Sequence, residues 1–325
     1  MQVSVIIPVY NGDTDLPDLL TCLRSQTYAS DQVEYIIIDN QSQDGTLRQL
    51  QFAITDFQQV GLTLKVGQEV QIQSSYAARN TGIRMAKGQI LVFTDADCRP
   101  DPQWLEHLIQ PFSDPTIDLV VGEIAGLPSQ NWLEQYAEQN KVLSQTYTLE
   151  NSFCPYGQTA NLAVRRSLFT EIGLFRPYLT TGGDADFCWR ALKNSQRNYR
   201  FVPEAIVLHR HRSTLAELAK QWQRYGRSNQ YLHDLHGIDL MAKPQRSYQA
   251  YLLTRWLLRE IPQILLKGLR SQLSPSGIVP RLVSTPLSLY CNHHRFYGQT
   301  QARLPELARQ IDRLAPESEK TQGDY

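Results

Sequence analysis

The chain has few cysteines, and no two of them stand close together in the sequence. Five are scattered through 325 residues, at Cys22, Cys98, Cys154, Cys188 and Cys291. Structural zinc sites and small secreted domains both depend on closely spaced cysteines. The scattered set excludes a disulfide framework of that kind and predicts a reducing, cytoplasmic environment.

Long apolar runs are also missing. The N-terminus, MQVSVIIPVYN, lacks the basic start, apolar core and cleavage site of a signal peptide. A spanning helix needs roughly 18 uninterrupted apolar residues. The most apolar later stretch, residues 251–270, is interrupted by Arg255, Arg259, Glu260 and Lys267. The sequence therefore predicts no transmembrane helix.

Net charge is absent as well, because 32 basic residues balance 32 acidic ones. No overall field favours nucleic acid, so we expect no nucleic-acid partner. A hydrophobic fraction of 42% is ordinary for a globular protein. The length allows one large domain with an appendage, or two domains.

What the first 125 residues do contain is an alternation of short β-branched runs and helix-like segments. The runs are VSVIIPV, VEYIIID, LTLKV, QILVFTD and IDLVVGE. This alternation predicts an α/β fold with a doubly wound, mostly parallel sheet. Ligands of such sheets bind beyond the carboxyl ends of the strands. The residues after each run are therefore the candidate site.

The rest of the chain is organised differently. We predict a catalytic domain over 1–212, a mostly helical region over 213–315 and a polar, disordered tail over 316–325. One helix of this region contains QWQRY, with Gln221, Arg224 and Tyr225. An amphipathic helix that covers the core explains that segment.

The second apolar run ends in Asp39, and Asp44, Gly45 and Thr46 follow it. At a strand end, Asp39 can accept a hydrogen bond from a base N–H or a ribose hydroxyl. An Asx turn that leads into the next helix explains the same residues. Both interpretations stay open at this point.

Asp95 and Asp97 follow the fourth run, with Ala96 between them. Two carboxylates so close repel each other unless a cation lies between them. A hard divalent cation, Mn²⁺ or Mg²⁺, that also contacts diphosphate oxygens meets this need. Pairs of this kind are common in solvated loops, but the strand that precedes this one favours the cation.

A third acidic group, Asp184 and Asp186, follows the glycines Gly182 and Gly183 at an apparent helix start. Asp favours a helix N-cap, and an acid in the first turn complements the helix dipole. The functional interpretation makes Asp184 a general base, because the glycines let a substrate approach closely.

Two basic side chains accompany the acids. Arg79, in AARNTG, can contact a phosphate or ribose, and it can equally pair with Asp39 or Asp95. His209 ends a short apolar run in EAIVLHRH. Its imidazole can bind a metal or a diphosphate, although a packing role is common for such a histidine.

Six segments occur in the order and approximate spacing seen in family 2 glycosyltransferases, which this chain resembles over about residues 1–215. They are SVIIPVYN, IIIDNQSQDGT, AARNTG, FTDADCRPDP, GGDADFCWR and VLHRH. The resemblance implies a GT-A fold, with a mixed, mostly parallel sheet and a helical C-terminal extension. It implies an inverting transferase that uses a nucleotide diphosphate sugar and a glycan, lipid-linked or small-molecule acceptor. QWQRY loosely resembles the Gln-x-x-Arg-Trp element of processive polysaccharide synthases, but its last residue differs and multiple membrane spans are missing, so we predict a single-transfer enzyme.

The resemblance also implies a role for each matching residue. Asp184 corresponds to the catalytic base, Asp186 and Gly183 lie on the acceptor side, and Asp97 and His209 correspond to metal ligands. The remaining positions contact the nucleotide sugar, and they are Pro8, Tyr10, Asn11, Asp39, Arg79, Asp95, Ala96 and Asp97.

This chain departs from the family before the base, where many members have Glu and this chain has Gly183. A silent nucleotide-sugar-binding module is therefore one alternative, although the retained acids argue against it. A nucleotidyltransferase is another. It needs a Gly-rich, basic phosphate loop after the first strand, where this chain has YNGDTDLP.

Residues 251–270 have an amphipathic helical pattern, with leucines, Trp256 and several basic residues. A helix of this composition can lie on an anionic membrane surface, where a lipid-linked acceptor is found. Core packing and homodimer formation explain the same pattern. The sequence leaves these three possibilities open.

Overall fold

A computed structural model describes residues 1–193, 197–269 and 275–314. The predicted tail over 316–325, and Arg270 at the end of the amphipathic stretch, lie outside the described residues. The chain divides into two units. Unit 1 contains Met1–Ala125, Ser144–His209 and the segment from Pro305, and unit 2 contains Gly126–Leu143 and Arg210–Leu304.

Unit 1 is built around an eight-stranded sheet. Its strands are β1 Val3–Val9, β2 Val33–Asp39, β3 Thr63–Gln68, β4 Ile90–Phe93, β5 Cys98–Pro100, β6 Ile117–Gly126, β7 Leu162–Arg165 and β8 Asn198–His209. Their order in the sheet is β3-β2-β1-β4-β7-β6-β8-β5. The five strands predicted from β-branched runs correspond to β1, β2, β3, β4 and β6.

The sheet is mixed. Strands β1, β2, β3 and β4 pair in parallel, whereas β7 pairs antiparallel with β4 and β6, and β5 pairs antiparallel with β8. Every residue of β1 is buried, which is typical of a central parallel strand covered on both faces. The predicted mixed α/β fold is confirmed.

Helices connect these strands. Those of unit 1 are α1 Leu16–Arg24, α2 Thr46–Gln59, α3 Ser75–Met85, α4 Trp104–Ile109, α6 Thr146–Leu149, α7 Arg166–Glu171 and α8 Gly183–Lys193. Three short 3₁₀ turns are Ser30–Gln32, Gln110–Ser113 and Glu306–Arg309. Helix α1 begins with a proline in its first turn, and α3 has Ser74 as its N-cap, whose hydroxyl accepts from the N–H of Tyr76.

Unit 2 is helical. Its helices are α5 Trp132–Gln139, α9 Leu215–His236, α10 Arg246–Arg255, α11 Ile261–Leu269 and α12 Pro275–Gln301, with a π-helical segment at Trp256–Glu260. Gly226 and Gly298 allow α9 and α12 to cross closely, because a Cβ at either would overlap the backbone of the other helix. Among the described residues, no helix is both long and apolar enough to cross a membrane.

The QWQRY segment lies on α9. Trp222 packs against the buried cluster of Leu133, Tyr136, Leu218, Leu287 and Cys291, all within unit 2. The Gln221 amide donates to the Tyr225 hydroxyl one turn away, at 3.1 Å. These contacts support the interpretation of QWQRY as part of an amphipathic packing helix.

Candidate active site

The parallel strands bring the predicted site residues to one edge of the sheet. Val9 at the end of β1 lies opposite Asp39 at the end of β2. Strand β4 pairs with β1 in the same direction, with Phe93 opposite Ile6. Because parallel strands end at the same edge, the loops after β1, β2 and β4 lie side by side.

The end of β1 is held by the loop after β2. Asn11 has a left-handed backbone, with φ of 49°, which asparagine tolerates better than most residues. Its N–H donates to the Ser42 hydroxyl, and its side-chain oxygen accepts from the N–H of Gln43, both at 2.8 Å. Tyr10 is exposed at this edge. Pro8 lies beyond the part of β1 that pairs with β4, so its missing N–H costs no bond on that side.

Asp39 is buried but incompletely paired. One carboxylate oxygen accepts from the N–H of Ser42 at 3.4 Å, and the other, Oδ1, has no hydrogen-bond partner. A buried polar atom without a protein partner is costly, and a bound water or ligand can satisfy it. The Asx turn and the ligand contact predicted for Asp39 are therefore compatible, because each uses a different oxygen.

Arg79 pairs with Asp95, and the guanidinium is almost fully buried while the carboxylate is about one-third exposed. The face of the Tyr76 ring lies 5.5 Å from the Arg79 guanidinium carbon. Both residues belong to α3, three positions apart, where side chains of a helix meet. Of the two ion pairs that the sequence allows, the structure has the one with Asp95.

Asp97 approaches His209, with 3.4 Å between Oδ2 and Nε2. The antiparallel pairing of β5 and β8 sets Cys98 directly opposite His209, so both side chains lie on one face. One ligand atom from each of Asp97, Cys98 and His209 lies within 4.8 Å of the others. A carboxylate and an imidazole are ordinary ligands for Mn²⁺, so these residues fit a divalent cation. Ala96, half-buried, joins Asp95 to Asp97.

Asp184 lies in the first turn of α8, after Gly182, which has a left-handed backbone with φ of 78°. The Thr159 hydroxyl donates to Asp184 Oδ1 at 2.9 Å. Burial raises the pKa of Asp184, and the nearby Asp95 carboxylate raises it further, while the Arg79 guanidinium and Thr159 oppose them. The contacts place Asp184 near the Arg79–Asp95 pair, because a Cβ at the preceding Gly183 would lie 2.7 Å from the Tyr76 ring and Arg79 lies over that ring.

Gly183 has a steric reason to be glycine. A Cβ at this position would lie 2.7 Å from the ring of Tyr76. That ring is buried and stacks on Phe175, so it has little room to move. In this chain, the Tyr76 ring fills the space that a side chain before Asp184 would occupy.

Asp186 occupies a different environment from Asp184, although both start α8. Its side chain is fully buried, and its two oxygens accept from Arg176 and Arg190 at 2.9 and 3.0 Å. The guanidinium of Arg190 also donates to the backbone carbonyls of Ile172 and Leu174. This geometry leaves Asp186 no exposed oxygen for an acceptor, in contrast to the expectation from the resemblance.

Sequence reasoning did not single out Tyr76, Cys98 or Thr159. Tyr76 stands one helical turn before Arg79, and Cys98 directly follows Asp97, so both had a local signal. Thr159 had none, because its contact with Asp184 joins residues that are 25 positions apart.

Comparisons with known proteins identify the family of this chain. The profile described as Glycosyl transferase family 2 matches residues 4–173, more than half of the chain. The chain belongs to glycosyl transferase family 2. The profile described as Glycosyl transferase family group 2 matches residues 90–290 of this glycosyltransferase.

Curated relatives are glycosyltransferases too. Glycosyltransferase AglE of Haloferax volcanii is 33% identical over 228 residues, which are 69% of this chain and 72% of that protein. Pre-mycofactocin glycosyltransferase of Mycobacterium tuberculosis is 30% identical over 70% of this chain and 46% of its own length. This glycosyltransferase therefore matches less than half of the mycobacterial relative. The predicted enzyme class is confirmed.

Solved structures share the fold. Mannosyltransferase PcManGT from Pyrobaculum calidifontis, in complex with GDP-Man and Mn²⁺, has a TM-score of 0.61 and 20% identity, covering 92% of this chain and 87% of that one. S. aureus TarS 1-349 in complex with UDP-GlcNAc has a TM-score of 0.51 and 19% identity, covering 92% and 89%. At such identities the likeness shows the fold alone, and the GT-A fold of this glycosyltransferase is confirmed.

Proposed function

We propose that this glycosyltransferase is an inverting, metal-dependent enzyme that moves a sugar from a nucleotide diphosphate to an acceptor hydroxyl, one transfer at a time. The observation that carries the proposal is a chain of contacts at the start of α8. Gly183, next to Asp184, abuts the Tyr76 ring, Arg79 lies over that ring, and Arg79 pairs with Asp95. These contacts bring a candidate base close to the strand-end acids that are suited to a diphosphate donor.

The nucleotide is held at the ends of β1 and β2 in this proposal. The unpartnered Asp39 Oδ1 supports a hydrogen bond from a base N–H or a ribose hydroxyl. Tyr10, which is exposed after the end of β1, offers its ring face to the nucleotide base. Asn11, with its left-handed backbone, fixes the turn that follows. Arg79 balances charge near the diphosphate through its pair with Asp95.

Asp97 and His209 would hold the metal ion, Mn²⁺ or Mg²⁺. When bound, such an ion neutralises the negative charge of the departing diphosphate. The carboxylate and imidazole donors support this role, and PcManGT in complex with GDP-Man and Mn²⁺ provides a precedent in the same fold. The Cys98 sulfur is a poor ligand for these hard cations, so we assign it to the wall of the site.

Asp184 acts as the general base. Its carboxylate takes the proton of the acceptor hydroxyl while the acceptor oxygen bonds to the anomeric carbon. The bond from that carbon to the diphosphate breaks on the opposite face, and the anomeric configuration inverts. The raised pKa of Asp184 makes its carboxylate a stronger base than an ordinary aspartate, which supports this role. Thr159 orients the carboxylate by donating to Oδ1.

The two residues that the resemblance assigns to the acceptor side, Gly183 and Asp186, have different roles in this proposal. Gly183 and the Tyr76 ring border the acceptor subsite beside the base. Asp186 has a scaffold role, because its charge is already neutralised by Arg176 and Arg190. We therefore propose that acceptor contacts come from other residues than this acid.

A glycan or lipid-linked acceptor in cell-envelope biosynthesis fits the names of several relatives. Among them are O-antigen chain rhamnosyltransferase RfbN of Salmonella typhimurium, 25% identical over 69% of this chain and 70% of that protein, and the poly(ribitol-phosphate) β-N-acetylglucosaminyltransferase TarS. Five free cysteines support a cytoplasmic site of action, since a reducing compartment keeps thiols unpaired. A place on the inner face of a membrane belongs to the same proposal.

The experiment is a panel of nucleotide sugars with Mn²⁺ or Mg²⁺, scored for slow release of nucleoside diphosphate in the absence of acceptor. We expect one donor to be hydrolysed, and the release to stop when a chelator removes the metal. Donor binding by calorimetry accompanies each assay. Binding without any release would favour the silent module, and release that a chelator does not change would reject metal dependence.

A further inference from the structure

Unit 2 carries an exposed apolar surface on three consecutive segments, α10, the π-helical segment and α11. Leu257 and Leu258 are 57% and 71% exposed. The other exposed large apolar side chains of these three segments are Tyr248, Tyr251, Leu253, Leu265 and Leu266. We name these seven residues the leucine face. Neighbouring exposed apolar side chains of this number indicate an interaction site.

The inward side of the same segments is already used. Trp256 donates its indole N–H to the carbonyl of Leu282 on α12, at 2.7 Å. Glu260 accepts from the Thr285 hydroxyl on α12 and from Arg255. These contacts fix which side of the segments packs inside unit 2. Packing inside unit 2 therefore explains the Trp256 side of the stretch, and the leucine face, exposed within the described residues, is left to the other two explanations.

The helix is irregular where the leucine face is most exposed. The π-helical turn at Trp256–Glu260 directly precedes Pro262, whose ring lacks an N–H and disturbs the preceding turn of a helix. Leu257 and Leu258 lie within this turn.

The charge of these segments distinguishes between the two remaining partners for the leucine face, a membrane surface and a second copy of the chain. Residues 246–267 contain four basic side chains, Arg246, Arg255, Arg259 and Lys267, and one acidic side chain, Glu260. The difference is a net charge of +3 on a short segment of a chain that is neutral as a whole. A second copy of the chain would set these like charges against each other across a two-fold axis. An anionic surface complements them.

From these observations we infer that the leucine face lies on an anionic lipid surface, with the segments parallel to the membrane plane. Leucines enter the boundary between headgroups and acyl chains, and the exposed Arg246 and Arg259 reach the headgroup phosphates. Tyr248 and Tyr251, whose rings stack at 6.3 Å, have the amphipathic rings that favour this boundary. The inference concerns unit 2 alone and does not depend on the proposed chemistry.

Flotation of the full chain with vesicles tests the inference. Vesicles of phosphatidylcholine alone are compared with vesicles that also contain phosphatidylglycerol. The test variant is Leu257→Glu/Leu258→Glu, and the matched control is Leu215→Glu/Leu240→Glu, which adds the same charge at two exposed leucines of unit 2 outside the face. Donor hydrolysis and thermal unfolding of each variant are followed separately.

We expect the wild type and the control to float with anionic vesicles at least roughly tenfold better than with neutral ones, and the test variant to stay unbound. Wild-type recovery should fall as salt is raised, and this measurement needs no variant to fold. Equal recovery of test and control variants, or no recovery of the wild type, would overturn the inference. So would a wild-type dimer in light scattering that the test variant converts to monomer, because the face would then be an interface between copies. If the wild type floats with anionic vesicles but hydrolyses no donor, the result counts against the proposed function and leaves this inference in place.

Discussion

The tripeptide Asp-Ala-Asp occurs twice in unit 1, and the two copies differ in how many of their carboxylates are exposed. In residues 95–97, which follow β4 in a loop, both carboxylates are about one-third exposed and reach different partners, Arg79 and His209. In residues 184–186, which begin α8, Asp184 borders the site and Asp186 is fully buried between two arginines. A helix turns about 100° per residue, so positions two apart point to opposite sides.

The comparison teaches that a pair of acids in a sequence is not yet a pair of acids in a site. A loop at a strand end can offer two carboxylates to one ligand, whereas a helix start offers one to the ligand and the other to the core. Four measurements test this contrast between the two tripeptides.

The largest effect is expected for Asp184→Asn. The amide cannot take the acceptor proton, so the transfer rate should fall by roughly 10²- to 10⁴-fold, the usual contribution of general acid–base catalysis. Donor affinity should stay within about twofold, because Asn still accepts the Thr159 hydrogen bond. Product formation and donor calorimetry measure the two effects. Transfer at the wild-type rate would remove Asp184 from the role of base.

The second acid of the same tripeptide should affect stability. Asp186→Ala leaves Arg176 and Arg190 buried without their carboxylate, and we expect the free energy of unfolding to fall by about 3–5 kcal/mol. Urea unfolding measures the change, with Asp184→Asn as the matched control on the same helix. An Asp186→Ala protein of normal stability but without transfer would return Asp186 to the acceptor side.

In the loop copy, Asp97→Ala should weaken metal-dependent donor binding by roughly 10- to 100-fold, because even groups that merely orient metal ligands contribute that much. Cys98→Ser is the control, since it changes the neighbouring side chain and keeps both proposed ligands. Calorimetry with donor and Mn²⁺ gives the affinities. A larger loss for Cys98→Ser than for Asp97→Ala would make the sulfur a ligand.

The smallest effect concerns pH. Burial raises the pKa of Asp184 in the folded chain above that of an ordinary aspartate, about 3.9. The folded state thus binds this proton more tightly than the unfolded state, so ionised Asp184 lowers stability at neutral pH. We expect Asp184→Asn to melt at a higher temperature than the wild type at pH 7. The difference should shrink as the pH falls through the folded pKa, and an Asn variant that melts lower at pH 7 would contradict this sign.

Most of the fold could be predicted from the sequence, because the hydrophobic periodicity and composition of a strand or helix are visible within its own short segment. The runs that end at Val9, Asp39 and Phe93 alternate with helical spacing, and such segments form parallel strands wherever they can be covered on both faces. Strands β5 and β7 escaped prediction. Each is three or four residues long and gains its strand conformation from pairing with a distant neighbour.

The candidate site, too, has residues that the sequence predicted and features that it did not. Asp39, Asp95 and Asp97 were predicted because a strand end is visible in the sequence, and the structure brings their strands together. The environment of Asp186 was not visible, since Arg176 lies ten residues away and the burial of the pair depends on packing. Gly183 was visible as a departure from the family, but its reason, the Tyr76 ring, was not.

The strand and helix periods, the acids at strand ends and the resemblance to family 2 are encoded within short segments, so they can be read from the amino-acid sequence. Only the tertiary structure decided which oxygen of Asp39 lacks a partner, which acid of the second tripeptide is buried and which side of residues 251–267 is exposed. The physical reason is that burial and charge pairing depend on residues far apart in the chain, and no local pattern specifies which of them meet.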